Sequence, residues 1–533
     1  MKTKFVVWVS GFLLVTTACG QQISPPPVEW QRVFGGWERE YLSVVRQTSD
    51  GGYVFCAASD SPPGGSKTAP NYSGSDCWVV RLDAQGNRLW DQSYGGLGDE
   101  SGGCSVQELA NGGFLIGTCS TSTNSGNKTS GHFGTRTTED YWVMLCDSAG
   151  NKLWEADFGG NYSDRFRYAA QTPDGGIVLA GGSVSPISGN KTATNYHSGI
   201  GSGTSGDYWV VRLDADGNKL WDKSYGGINN DIAWAAQLTS DGGLVIGGGS
   251  ISEASGNKAS TNYGDYDFWL VRLDANGNKL WDHCYGGTAD DTMYCLAQTA
   301  DGGFVMAGRS FSPPSGNKTS PNFGTNGNAD FWVVRVNTNG VKLWDKSFGG
   351  TETEFAHSLA VTSDGGVIVV GSTYSSISGN KTTPLPGGGA DYWVVRLDAG
   401  GEKLWEATFG GSQSDIARSV IQTRDGGFLI AGDSYSPANG NKSVPGFGWG
   451  DSWLIKLGPE RPELRMAGIP TQPGGLPLML TGIKNLTYAI DWSGDLATWM
   501  PLFTNQMTGS LWQILDTGTT NAMRRFYRAR SVP

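Results

Sequence analysis

Histidine is almost missing from this chain: His132, His197, His283 and His357 are the only four among 533 residues. They fall on different segments with no H-E-x-x-H spacing, which disfavours a histidine metal centre or a nucleophile–histidine triad. Eight cysteines are present, with no C-x-x-C pair, so zinc is not indicated. Basic clusters are lacking too. Lys and Arg number 39 against 50 Asp and Glu, a net charge of −11, which argues against nucleic acid and anionic membranes as partners. Beyond the N-terminus, no apolar run is long enough to cross a bilayer as a helix.

What the chain has in abundance is one repeated unit. An aromatic residue followed by Gly-Gly ends at Gly36, Gly96, Gly160, Gly227, Gly287, Gly350 and Gly411, a period of about sixty residues that indicates a propeller or a solenoid. Each unit reads as four short strands. In one copy these are AWAAQLT before Asp241-Gly242-Gly243, then LVIGG, then FWLVRLD after a loop holding Ser255-Gly256-Asn257-Lys258, then KLWDHCY after Ala275-Asn276-Gly277-Asn278. Asp-Gly and Asn-Gly between apolar runs favour tight hairpins, and four antiparallel strands make a propeller blade.

The last unit stops after its third strand near Leu457, whereas Val28 to Gly36 reads as a fourth strand with nothing before it. The expected architecture is therefore an all-β, seven-bladed propeller closed by the N-terminal strand, which leaves no open edge. Tryptophan recurs on the third strand from Trp78 to Trp453 and on the fourth from Trp30 to Trp405, as the wedge-shaped spaces between blades require.

With its DGG, W/F-strand and LDxxG pattern, the segment 28–458 resembles the extracellular β-propeller repeats of bacteria, in particular the sixty-residue delta type. The resemblance implies an architecture and a surface location without a shared reaction. Residues 459–533 resemble the small fibronectin-like β-sandwich appended to exported bacterial proteins, matching at Tyr488, Ser493, Asp495, Leu496, Trp499, Asp516 and Arg525 to Arg528. That resemblance implies a spacer or attachment module. Residues 1–18 read as a signal peptide and 19–27 as a Pro-rich spacer, so the chain is expected to be exported. Ala18-Cys19 looks like a lipoprotein cleavage site, leaving two outcomes: a cell-surface or outer-membrane lipoprotein anchored at Cys19, or a secreted protein.

Blade topology places the DGG and LDAxGN hairpins on one face of the disc. The long second-to-third loops and the Gly-Gly connections share the other, where a glycan or protein ligand is expected. The loop aromatics Phe133, Tyr196, Tyr263, Phe323, Phe447 and Trp449 are the candidate binding residues. Four positions after each Gly-Gly stands an acid: Glu40, Glu100, Asp164, Asp231, Asp291, Glu354 or Asp415. This carboxylate ring at one mouth of the channel is expected mainly to accept local backbone N–H groups, with calcium the only cofactor it leaves open and no metal ligand set assigned. The lysine in every long loop, Lys67 to Lys442, reads as structural, paired with the Asp that precedes the third-strand Trp. A two-residue hairpin at Asn111-Gly112 would set Cys104 opposite Cys119, giving a candidate disulfide. No catalytic residue is assigned. The reading is a non-catalytic binding or scaffold module; the alternative is a polysaccharide lyase or hydrolase using the carboxylates.

Overall fold

The computed structural model describes residues 24–135, 137–198, 206–460, 463–466, 476–482, 487–507, 511–517 and 525–532. The signal-peptide residues 1–18 and Cys19 lie outside them. Seven four-stranded antiparallel sheets follow one another along the chain. One sheet is typical, with an inner strand Asp231–Leu238, then Leu244–Ser250, Asp267–Leu273 and the outer strand Lys279–Tyr285. The seventh sheet consists of Asp415–Gln422, Phe428–Ser434, Asp451–Leu457 and, as its outer strand, Val28–Phe34, which runs antiparallel with Val33 opposite Trp453.

Every third strand is buried over its whole length, save Leu145 in the second sheet, which is half-buried. The reason is packing on both faces. Trp269 joins Tyr208, Val210 and Val178 of the preceding sheet, while Phe268 and Leu270 join Phe304 and Trp332 of the following one. The same kind of core links the first sheet to the seventh, where Phe55, Leu42 and Trp78 share a cluster with Leu429, Ala431 and Leu454. Tyrosines cross these seams, Tyr208 Oη donating to Trp269 O at 3.0 Å and Tyr392 Oη to Trp453 O at 3.2 Å.

The DGG hairpins are three-residue turns. Thr239 N donates to Gly243 O and Gly242 N to Thr239 O, both at 2.9 Å, and Gly242 sits at φ +82°. That is a type I turn closed by a left-handed residue, so paired residues shift by one relative to a two-residue turn. The second sheet shows the consequence: Cys104 lies opposite Thr118, and Cys119 is opposite Tyr141 on the next strand. The expected Cys104–Cys119 disulfide is thus corrected, and both thiols are free. A one-residue slip sends the two side chains to opposite faces of the sheet. Cys104 instead joins Cys56 and Cys77 in the core between the first two sheets.

The tail forms two three-stranded antiparallel sheets, one from Glu463–Met466, Leu476–Thr481 and Leu511–Asp516, the other from Met500–Gln506, Thr487–Ser493 and Phe526–Val532. Leu478, Leu480, Tyr488, Ile490 and Tyr527 form its core. Its basic last strand is largely neutralised: Arg528 Nε and Arg530 Nε donate to Asp491 at 2.9 and 3.0 Å, and Asp516 takes Arg525 at 2.6 Å.

Candidate functional site

Each corner where one sheet passes to the next carries the same buried group of charges. The second glycine of Gly-Gly donates its N–H to the acid four residues on, in all seven copies, at 2.7–3.0 Å. A β-carbon on the first glycine would collide with two carboxylates at once. At Gly95 these are Asp76 and Glu100, at Gly226 Asp207 and Asp231, and at Gly410 Asp391 and Asp415. The ring acids are therefore not open to the axis. They are fully buried in the seams, each against the Asp that begins the third strand of the preceding sheet. That Asp spends one oxygen on a loop N–H, as Asp76 does with Tyr72 at 2.7 Å, while its Oδ1 has no hydrogen-bond partner among the described residues. Burial first, with the neighbouring carboxylate adding to it, pushes Asp76, Asp207, Asp267 and Asp330 up to about 7.

This packing explains why Gly-Gly recurs. Gly226→Ala would drive a methyl group into Asp207 and Asp231, for a loss on the order of 3 kcal/mol. We expect a melting temperature several degrees lower, measurable by differential scanning calorimetry. An alanine variant as stable as the parent would show that the seam has room to give.

The seven loop lysines are buried rather than exposed. Their ammonium groups lie 5.5–5.9 Å from the centroids of the third-strand tryptophan rings and donate to carbonyls and serines, as Lys67 does to Ser61 O at 2.6 Å and Ser59 Oγ at 3.0 Å. Direct pairing with the third-strand Asp is not what holds them. The loop asparagine staples the corner, Asn127 Oδ1 accepting Gly95 N at 2.9 Å while its amide donates to Ser93 O at 2.8 Å. The Ser-Gly-Asn-Lys motif is thereby accounted for as framework.

Five of the loop aromatics rest on a neighbouring loop, with Phe133, Tyr263 and Phe447 still exposed. Phe133, Tyr196, Tyr263, Phe323 and Phe447 each lie against the loop glycine of the next sheet, respectively Gly189, Gly256, Gly316, Gly379 and Gly65. Trp449 is different. It is 71% exposed, on the loop that packs against the backbone of Trp37, itself 56% exposed.

The structure brings together a set of residues that spacing had not flagged. Six inner strands carry a β-bulge three residues after the ring acid, visible as a skipped partner at Ser43, Arg167, Trp234, Tyr294, His357 and Arg418. A bulge re-aims one extra side chain. Gly103, at φ +135°, takes the corresponding place in the second sheet. These residues line a cavity of about 660 Å³ to which all seven sheets contribute, with Tyr41, Ser101, Arg309 and Phe355 completing the wall. None of the seven ring acids is in that wall. The seven copies agree at the acid and differ through the rest of the inner strand, so the sequence alone does not single out the third position after it.

Inside the cavity the Arg167 guanidinium lies 4.4 Å from the Trp234 ring centroid, Trp234 meets Tyr294 edge-on at 5.4 Å, and Tyr294 is 5.9 Å from His357. Arg418 Nε donates to the buried Asp433 at 2.9 Å, and Arg309 pairs with Asp290 at 3.2 Å. Burial, then Arg418, pushes His357 down to about 3, so its imidazole is neutral. Among the described residues no group of three or more His, Cys, Asp or Glu is placed to hold a metal ion.

No family model matches the chain. A 158-residue stretch, 29% of this chain, is 28% identical to the regulatory protein FlaEY of Caulobacter vibrioides, of whose length it covers 16%. Among solved structures, the WD40 domain of Neurospora crassa Pan2 aligns with 78% of this chain and 89% of its own at 8% identity and a TM-score of 0.40. A puromycin hydrolase aligns with 83% of this chain and 59% of its own at 12% identity, TM-score 0.40. A Dyadobacter fermentans protein of unknown function aligns with 67% of this chain and 95% of its own at 13% identity, TM-score 0.38.

Proposed function

We propose that the chain is an exported ligand-binding module: a seven-bladed propeller of the bacterial delta type, closed by its N-terminal strand and followed by a fibronectin-like β-sandwich. In this reading it is either anchored through Cys19 or secreted, and its ligand enters the axial cavity. One observation carries the proposal. Seven copies that agree at the corner acids, loop lysines and seam tryptophans differ at the single bulge position that faces the axis, with Ser43, Gly103, Arg167, Trp234, Tyr294, His357 and Arg418. Repetition maintains framework, and varied side chains that converge on one cavity are what recognition of a ligand requires. The exposed Trp37 and Trp449 favour a second reading, in which a glycan or protein ligand docks on the long-loop face.

Glycan and peptide arrays separate the two. Trp234→Ala with His357→Ala is expected to abolish array binding, whereas Trp449→Ala leaves it intact. The reverse pattern would move the site to the loop face, and binding unchanged in both variants would overturn both readings.

A further inference from the structure

The cavity wall carries three guanidinium groups, Arg167, Arg309 and Arg418, and no carboxylate. Arg167 reaches the carbonyl of Gly102 and stacks on Trp234, and among the described residues it has no carboxylate partner, unlike Arg309 and Arg418. Arg167 spends Nε on Ala233 O at 3.4 Å and Nη1 on Gly102 O, so its charge is met by carbonyls and not by a carboxylate, a partner that an anionic ligand would supply. On the side of the fourth to sixth sheets, Trp234, Tyr294 and Phe355 present aromatic surface; across from them, Ser43, Ser101 and Tyr41 add hydroxyl groups, and Gly102-Gly103 brings bare backbone. A volume of about 660 Å³ falls within the roughly 300–1,000 Å³ typical of small-molecule sites.

We propose that this cavity binds an anionic sugar unit, a hexuronic acid, with its carboxylate on Arg167, an apolar ring face on the aromatic wall and its hydroxyls on Ser43, Ser101 and Tyr41. The proposal rests on reading the cavity as the binding site. A planar guanidinium with several fixed donors suits a carboxylate better than a neutral hydroxyl does. A flat apolar wall selects a ring over an extended chain. The positive charge comes from arginines, since His357 is neutral over the ordinary range, and binding is expected to weaken as salt rises.

Isothermal titration of the whole protein with glucuronate, galacturonate, glucose and 4-hydroxybenzoate tests this. Both uronates are expected to bind, with glucose weaker by about tenfold or more and Arg167→Gln lowering uronate affinity by about 10–100-fold at unchanged melting temperature. Arg167→Lys, which keeps the charge and loses the fork, should fall between and serves if the glutamine variant does not fold. Trp234→Phe should retain binding that Trp234→Ala loses. Equal binding of glucose would overturn the anionic class while leaving the cavity as a site. Equal binding of 4-hydroxybenzoate, lost in Arg167→Gln, would keep the carboxylate subsite and overturn the sugar. No saturable uronate binding would overturn this inference even if array binding still depended on Trp234, and uronate binding indifferent to Arg167 would overturn it as well.

Discussion

Raising the pH from about 5 to 8 is expected to destabilise the protein, the opposite of the usual gain as carboxylates ionise. The third-strand acids Asp76, Asp207, Asp267, Asp330 and Asp391 and the ring acids Glu40 and Asp164 rise to about 7, with Asp231 and Asp291 at about 6. A carboxyl group whose folded value lies above its unfolded value holds its proton longer in the folded chain. Its stabilisation is complete below about pH 4 and is lost as the pH climbs through about 7. One unit corresponds to about 1.4 kcal/mol for one group. Because the two acids of a pair titrate as a coupled unit and a buried lysine stands nearby, the net loss expected over the window is several kcal/mol in all, not a sum over every acid. Asp222 and Asp282 act oppositely. Despite burial, lysine, hydroxyl and N–H donors bring them down to about 2, so their contribution is already complete by about pH 4. Lys318, lowered to about 8 by burial, begins to add stability only above that value. Chemical denaturation at pH 5, 6.5 and 8 measures the slope, and Asp207→Asn, which supplies a donor between Asp207 and Asp231, should flatten part of it. A stability that is constant or rises across the window would mean the seam acids ionise freely.

Deleting the N-terminal strand is expected to cost stability comparable with the whole folding margin of about 5–15 kcal/mol. Val28–Phe34 supplies the outer strand of the seventh sheet, and without it the third strand Asp451–Leu457 becomes an edge. Gln31 is part of the reason. Its amide donates to Asn441 O and its oxygen accepts Ser443 N, both at 2.9 Å, pinning the loop that the outer-strand acids pin in other sheets. Phe34 also packs against Phe55 in the core shared by the first and seventh sheets. A chain starting after residue 36 should melt far below the full chain, or associate through the exposed edge, as size-exclusion chromatography would report. A truncated chain that stays monomeric with an unchanged melting temperature would show that the strand is dispensable.

The sequence by itself determined the repeat, the four strands per unit and the interior placement of the third-strand tryptophans, because period and alternation are local properties that one chain displays. It also located the corner acids, lysines and loop aromatics, whose regular spacing was legible even where their roles were not. Tertiary structure decided what those residues do. Two acids more than twenty residues apart, Asp76 and Glu100, meet only because consecutive sheets fold across one glycine, and that contact turns a ring of separate acids into buried carboxyl pairs that hold their protons. A single left-handed glycine in each DGG turn shifts strand register and separates Cys104 from Cys119. A bulge inserts one residue into an otherwise regular strand, and only the convergence of seven strands on an axis turns Arg167, Trp234, Tyr294, His357 and Arg418, scattered over 252 positions of sequence, into one wall. Local patterns report which face a residue takes within its own sheet; which residues from other sheets stand opposite depends on long-range packing, which no single repeat contains.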